Sequence, residues 1–176
     1  MQEKKLITPY YIYDVSVVAV MIFFDQFTKY LCRKKLETGS YVSIIKDVLQ
    51  LYHFENTGAS WGILKGQSIL FSVLAAVVSV GLCIFISKIP AVKRFLPLHI
   101  ASSLVIAGAV GNLIDRIIKG SVTDFIYFVI IRFPIFNVAD ICIVCASIFM
   151  VIMMLFVYKD EELTFLNFSS EKEKDA

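Results

Sequence analysis

The stretch ILFSVLAAVVSVGLCIFIS, residues 69–87, carries no charge and no proline. A helix needs roughly 20 mostly apolar residues to cross the hydrocarbon core of a bilayer, and this run supplies them without a break. Working outward from it, a second uncharged run covers residues 141–158. Towards the amino terminus, residues 10–31 form another apolar segment, interrupted by Asp14 and Asp25. One more begins near Pro97, a suitable first-turn residue, and continues through Asp115 with Gly120 available to end it. Composition agrees: the chain is 58% hydrophobic and 18% charged, with a mean hydropathy of +0.76. Soluble domains run at about 45–50% apolar and about 25% charged, so lipid is the expected solvent. The reading is an all-α membrane protein with four transmembrane helices, roughly 10–31, 69–87, 97–116 and 138–158. They form a single membrane-embedded domain over 1–158, followed by a polar, mobile tail over 159–176.

The connections differ in character. Residues 88–96 (KIPAVKRFL) are short and basic. Residues 32–68 are longer, and within them 48–56 (VLQLYHFEN) show partial strand-like alternation; 121–134 (SVTDFIYFVIIRFP) are rich in β-branched and aromatic residues. Both predict small strands at the membrane surface, too short for a domain of their own. The first apolar segment follows Lys4 and Lys5 but lacks an A-x-A-like cleavage site, so it reads as a retained helix. Basic residues divide evenly between the two sides of the membrane, which leaves orientation open on charge alone. A net charge of +2 gives no reason to expect nucleic acid.

Topology gives the polar residues their meaning. In a four-helix hairpin chain, the ends of the first and third helices meet the starts of the second and fourth on one side. Asp25, Gln26 and Lys29 end the first helix, and Asn112, Asp115 and Arg116 end the third. Asn56 and Asp124 lie in the connections on that side, while Asn137 and Asp140 open the fourth helix. Taken singly, each has a bland role as a cap, an anchor or a snorkelling side chain, and Asp14 and Lys29 read that way. Four acids with three asparagines at one depth point instead to a site, because carboxylates near lipid pair or face a wet cavity. Ser103, Ala107 and Gly111 form a small-residue stripe for close helix packing. Asn137 and Asp140 have the spacing of a capping box. Two carboxylates held close share a proton and titrate as a unit. The ionised member can then activate water while the protonated one polarises a carbonyl.

Five motifs occur in order: FDQFTK (24–29), NTGASWG (56–62), GNLIDR (111–116), VTDF (122–125) and FNVAD (136–140). Together they resemble the motif set of the lipoprotein signal peptidase (signal peptidase II) family. The resemblance implies a cofactor-free and metal-free aspartyl endopeptidase of the bacterial inner membrane, active at the extracytoplasmic face, where the small β-rich subregion would also lie. It implies diacylglyceryl-modified prolipoproteins as substrates, cut just before the lipidated cysteine, in a setting of membrane lipids; nothing in the sequence demands more than a monomer. Asp124 and Asp140 match the family's catalytic pair. Asp25, Asn56, Asn112, Asp115, Arg116 and Asn137 match its supporting residues, which recognise substrate backbone and orient the pair. Thr123 stands where the family often has an apolar residue, at a position that need not face the pair.

Two other enzyme classes stay open. Gly58-Ala59-Ser60-Trp61-Gly62 fits G-x-S-x-G, the nucleophile elbow of serine hydrolases. That chemistry needs a histidine; His99 starts the third helix on the opposite side, and His53 is close in sequence. The pair Cys142-x-x-Cys145 fits a membrane thiol oxidoreductase, although apolar neighbours favour packing for both. Two histidines on opposite sides make a poor zinc ligand set.

Overall fold

The computed structural model describes residues 7–58 and 67–166. Among these residues, four helices are long and apolar enough to cross a membrane: α1 (Ile7–Lys35), α2 (Ser68–Lys88), α3 (Leu96–Lys119) and α4 (Val138–Ile152). A five-residue π-helical stretch, Met153–Val157, extends α4. The three strands β1 (Tyr41–Ile45), β2 (Leu49–Asn56) and β3 (Val122–Phe128) form one antiparallel sheet in the order β1-β2-β3.

Helix α3 is the hub. Of its spanning stretch 67% is buried in protein, against 17% for α1, 11% for α4 and 6% for α2. The sequence explains the difference. Small residues (Ala101, Ser102, Ser103, Ala107, Gly108, Gly111) are distributed round α3, so neighbours approach it closely on several sides. A Cβ at Gly108 would sit 2.5 Å from the Ala139 carbonyl oxygen, and one at Gly111 would sit 2.7 Å from Asp25 Oδ2. Helix α2, by contrast, exposes Ile69, Val73, Val77 and Val80 as a lipid-facing surface does.

Local signals set the ends. Proline occupies the first turn of α3, and Gly120 closes it with a left-handed φ of 75°. Asn137 caps α4 through a reciprocal box: its side chain accepts from Asp140 N–H, and the Asp140 carboxylate accepts from Asn137 N–H, both at 3.0 Å. The sheet is larger than the sequence implies by one strand, β1, held by Tyr41 stacked on Tyr52. At the end of the bundle away from the sheet, residues 159–166 are folded rather than loose: Phe165 packs on Phe85 and Phe95, and Glu162 pairs with Arg94. Residues 167–176 of the expected mobile tail lie outside the described part.

Candidate active site

Strand alternation sorts the residues of β3. Glu55 pairs directly with Thr123, so Asn56 and Asp124 share the other face as diagonal neighbours. Asn56 Nδ2 donates to Asp124 Oδ2 at 2.9 Å. The box at the start of α4 delivers Asp140 to the same place, and the last turns of α3 deliver Asn112.

Every carboxylate oxygen of this pair accepts one N–H. Asn56 and Asn137 Nδ2 donate to the two oxygens of Asp124, at 2.9 and 2.6 Å. Asn112 Nδ2 donates to Asp140 Oδ1 at 2.8 Å, and the Asn137 backbone donates to Oδ2 at 3.0 Å. Asn137 therefore bridges the two acids, and three asparagines form an amide cage round them. Asp124 is 2% exposed. Its burial, followed by the nearby Asp140 charge, raises its pKa from the ordinary 3.8 to about 7, against the lowering effect of the amide donors. Two acids so arranged can hold a proton jointly near neutral pH, which suits general acid–base chemistry.

A second layer braces the first. Asp25, 1% exposed, accepts the Ala139 N–H in the first turn of α4 at 2.9 Å. Lys29 reaches Asp25 at 2.8 Å, Asn112 Oδ1 at 2.9 Å and Asp115 at 3.5 Å. Asp115 accepts from Thr123 N–H at 3.0 Å and faces Arg33 and Lys119. Beyond it, Glu55 joins His53, Ser121 and Thr123. Burial raises the Glu55 pKa, but hydrogen bonds from Ser121 and His53, the Lys119 charge and Thr123 hold it net below the usual range.

Of the residues singled out in the sequence, Asp25, Asn56, Asn112, Asp115, Asp124, Asn137 and Asp140 are joined in one network. Arg116 makes no hydrogen bond to the acids: its guanidinium lies over the Phe71 ring at 5.4 Å and reaches the Asn112 carbonyl at 3.5 Å. Lys29 is a correction. A lysine near a helix end reads as snorkelling, yet it is 0% exposed, because acids from two helices close over it. Asp14 is also buried, 2.9 Å from His99 Nδ1 and 3.1 Å from Ser103 Oγ, far along α1 from the amide cage. Thr123, on the strand face away from Asp124, instead donates its N–H to Asp115, eight positions back, a contact that leaves no mark in the local pattern. Ser60 lies outside the described residues. Both ring nitrogens of His53 are engaged, by Leu36 O and Glu55. Cys142 is buried and Cys145 exposed, both as free thiols. Among the described residues no group of three or more His, Cys, Asp or Glu is placed to hold a metal.

A family model described as Signal peptidase (SPase) II matches residues 17–156. The lipoprotein signal peptidase of Brevibacillus brevis is 44% identical over 144 residues, covering 82% of this chain and 93% of the relative. That of Bacillus subtilis is 36% identical over 150 residues, covering 84% and 90%. A bacterial membrane enzyme solved by the in meso method at 2.3 Å superposes with a TM-score of 0.74 at 31% identity, covering 100% of this chain and 99% of the other. Motif order, bundle and comparisons agree, and the chain belongs to the signal peptidase II family.

Proposed function

We propose that this chain is an aspartyl endopeptidase that removes the signal peptide from diacylglyceryl-modified prolipoproteins, cutting just before the lipidated cysteine. The observation that carries the reading is the amide cage: Asp124 and Asp140 each accept two N–H donors and are bridged by Asn137. In that setting one carboxylate, ionised, takes a proton from the attacking water. The other, protonated, donates a hydrogen bond to the carbonyl oxygen on which negative charge develops. An apolar groove of about 300 Å³ opens beside Asp140, between Phe133, Pro134 and Phe136 and the lipid-facing Ile141 and Val144. A scissile bond at the cage would thus lie next to space suited to acyl chains. The relatives' names, lipoprotein signal peptidase, favour the same substrate class. The reading sets a monomer in the bacterial inner membrane, with its cage at the extracytoplasmic face.

The test is cleavage by the purified protein, in lipid, of one precursor with and without the diacylglyceryl group, with product masses measured. Only the lipidated form should be cut, releasing a product that begins at the modified cysteine. Ser60→Ala and a variant lacking all four cysteines should keep most of the turnover. Equal cleavage of the unmodified precursor, or inactivity of Ser60→Ala, would refute the proposal.

A further inference from the structure

We infer that Lys29 is a positioning residue for the acid pair, acting by fixing the direction in which the Asn112 side chain points. The inference rests on the aspartyl reading above but concerns a residue that touches neither acid by hydrogen bond.

An asparagine side chain is nearly symmetric in shape and can present either its oxygen or its NH2 group to a neighbour. Only the NH2 orientation serves an ionised carboxylate; the oxygen would repel it. Asn112 faces this choice between Asp140 on one side and Lys29 on the other. Lys29 carries an ammonium, a donor with no acceptor capacity, so Asn112 must turn its oxygen towards it. The 2.9 Å contact from Lys29 Nζ to Asn112 Oδ1 has that sense, and Asn112 Nδ2 then points at Asp140 Oδ1, 2.8 Å away. The same oxygen accepts a second bond, from Asn137 Nδ2 at 3.1 Å, and that nitrogen also donates to Asp124 Oδ1 at 2.6 Å. The sense of Asn137 is fixed by its cap, where its Oδ1 accepts from the Asp140 N–H at 3.0 Å, so the amide that the buried cation orients is Asn112, the one that donates to Asp140.

Burial makes the device effective. Lys29 and Asn137 are 0% exposed, and Asn112 is 6% exposed. Water has little access to substitute for a lost donor. Asp25 and Asp115, at 2.8 and 3.5 Å, offset the cost of keeping the ammonium charged there. A structural reading of Lys29 would stop at that charge balance, and the two roles are separable by substitution.

Lys29 should be changed in an Asp25→Asn background, where the carboxamide keeps an acceptor for the Ala139 N–H and one buried charge is already gone. Variants are compared with Asp25→Asn itself. Adding Lys29→Met fills the space of the lysine stem but donates nothing to Asn112. Thermal unfolding should stay within a few degrees and KM within about twofold, while kcat falls by about 10²-fold, the loss associated with one transition-state donor. Adding Lys29→Gln instead, whose amide can still donate to Asn112, should keep kcat within about tenfold of the background. The inference is overturned if the Met variant keeps kcat within about threefold, or if the Gln variant loses as much as 10²-fold. Should the Met variant not fold, the Gln variant decides alone on the same limits. Asp124→Asn and Asp140→Asn assayed alongside separate the two ideas: turnover in either one counts against the aspartyl reading, not against the role of Lys29.

Discussion

At the scale of single residues, the amide cage makes a prediction about pH. Burial and then the Asp140 charge raise Asp124 from 3.8 to about 7, so the folded chain binds its proton more tightly than the unfolded chain does. The associated stability is fully present below about 3.8 and is lost as pH rises through about 7. Melting temperature should accordingly fall between pH 5 and pH 8, and Asp124→Asn, which cannot titrate, should show a shallower fall; parallel curves would contradict the assignment. The two acids were legible in the sequence because each sits in a short motif at a helix or strand boundary. The cap at Asn137 was legible because capping is local, reaching only to Asp140. Lys29 was not: a lysine near a helix end ordinarily reaches for water, and the partners that hold it in the interior include Asn112 and Asp115 of another helix.

At the scale of elements, the site depends on how closely α3 and α4 approach. Gly108 faces the Ala139 carbonyl, and a methyl group there would lie 2.5 Å from that oxygen and 2.7 Å from Ile143 Cγ1. Gly108→Ala should push the start of α4 away from α3, costing roughly 1–3 kcal/mol as overpacking does. It should also lengthen the Asn112–Asp140 bond and lower kcat. Gly81→Ala in α2, where nothing lies within 4 Å, should leave unfolding unchanged. Thermal unfolding and turnover of the two variants check this; equal effects would show that the close approach is unimportant. The four helices were readable from run length, and their ends from Pro97, Gly120 and Asn137. Strand β1 was not, since all five of its residues are exposed and only pairing with β2 defines it. The π-helical end of α4 likewise has no proline or glycine to announce it.

At the scale of the whole molecule, buried polar contacts pin α1 to α3 at two levels. Lys29 joins Asn112 and Asp115 at one, and Asp14 joins His99 and Ser103 at the other. Between them Gln26 Nε2 donates to the Gly111 carbonyl at 3.0 Å, and α2 and α4 complete the bundle on the hub helix. Hairpin topology made the convergence of polar residues readable, because alternate helix ends must meet on one side. Orientation was not readable, since the basic residues balance. The architecture brings together a pair of buried carboxyl groups, each accepting two N–H donors. The measurement that tests this most directly is kcat on a diacylglyceryl-modified precursor for the wild type, Asp124→Asn and Asp140→Asn, with folding verified for each. The account predicts that both variants fall by at least about 10³-fold, since each acid is needed for proton transfer. Retention of a tenth of wild-type turnover by either folded variant would contradict it.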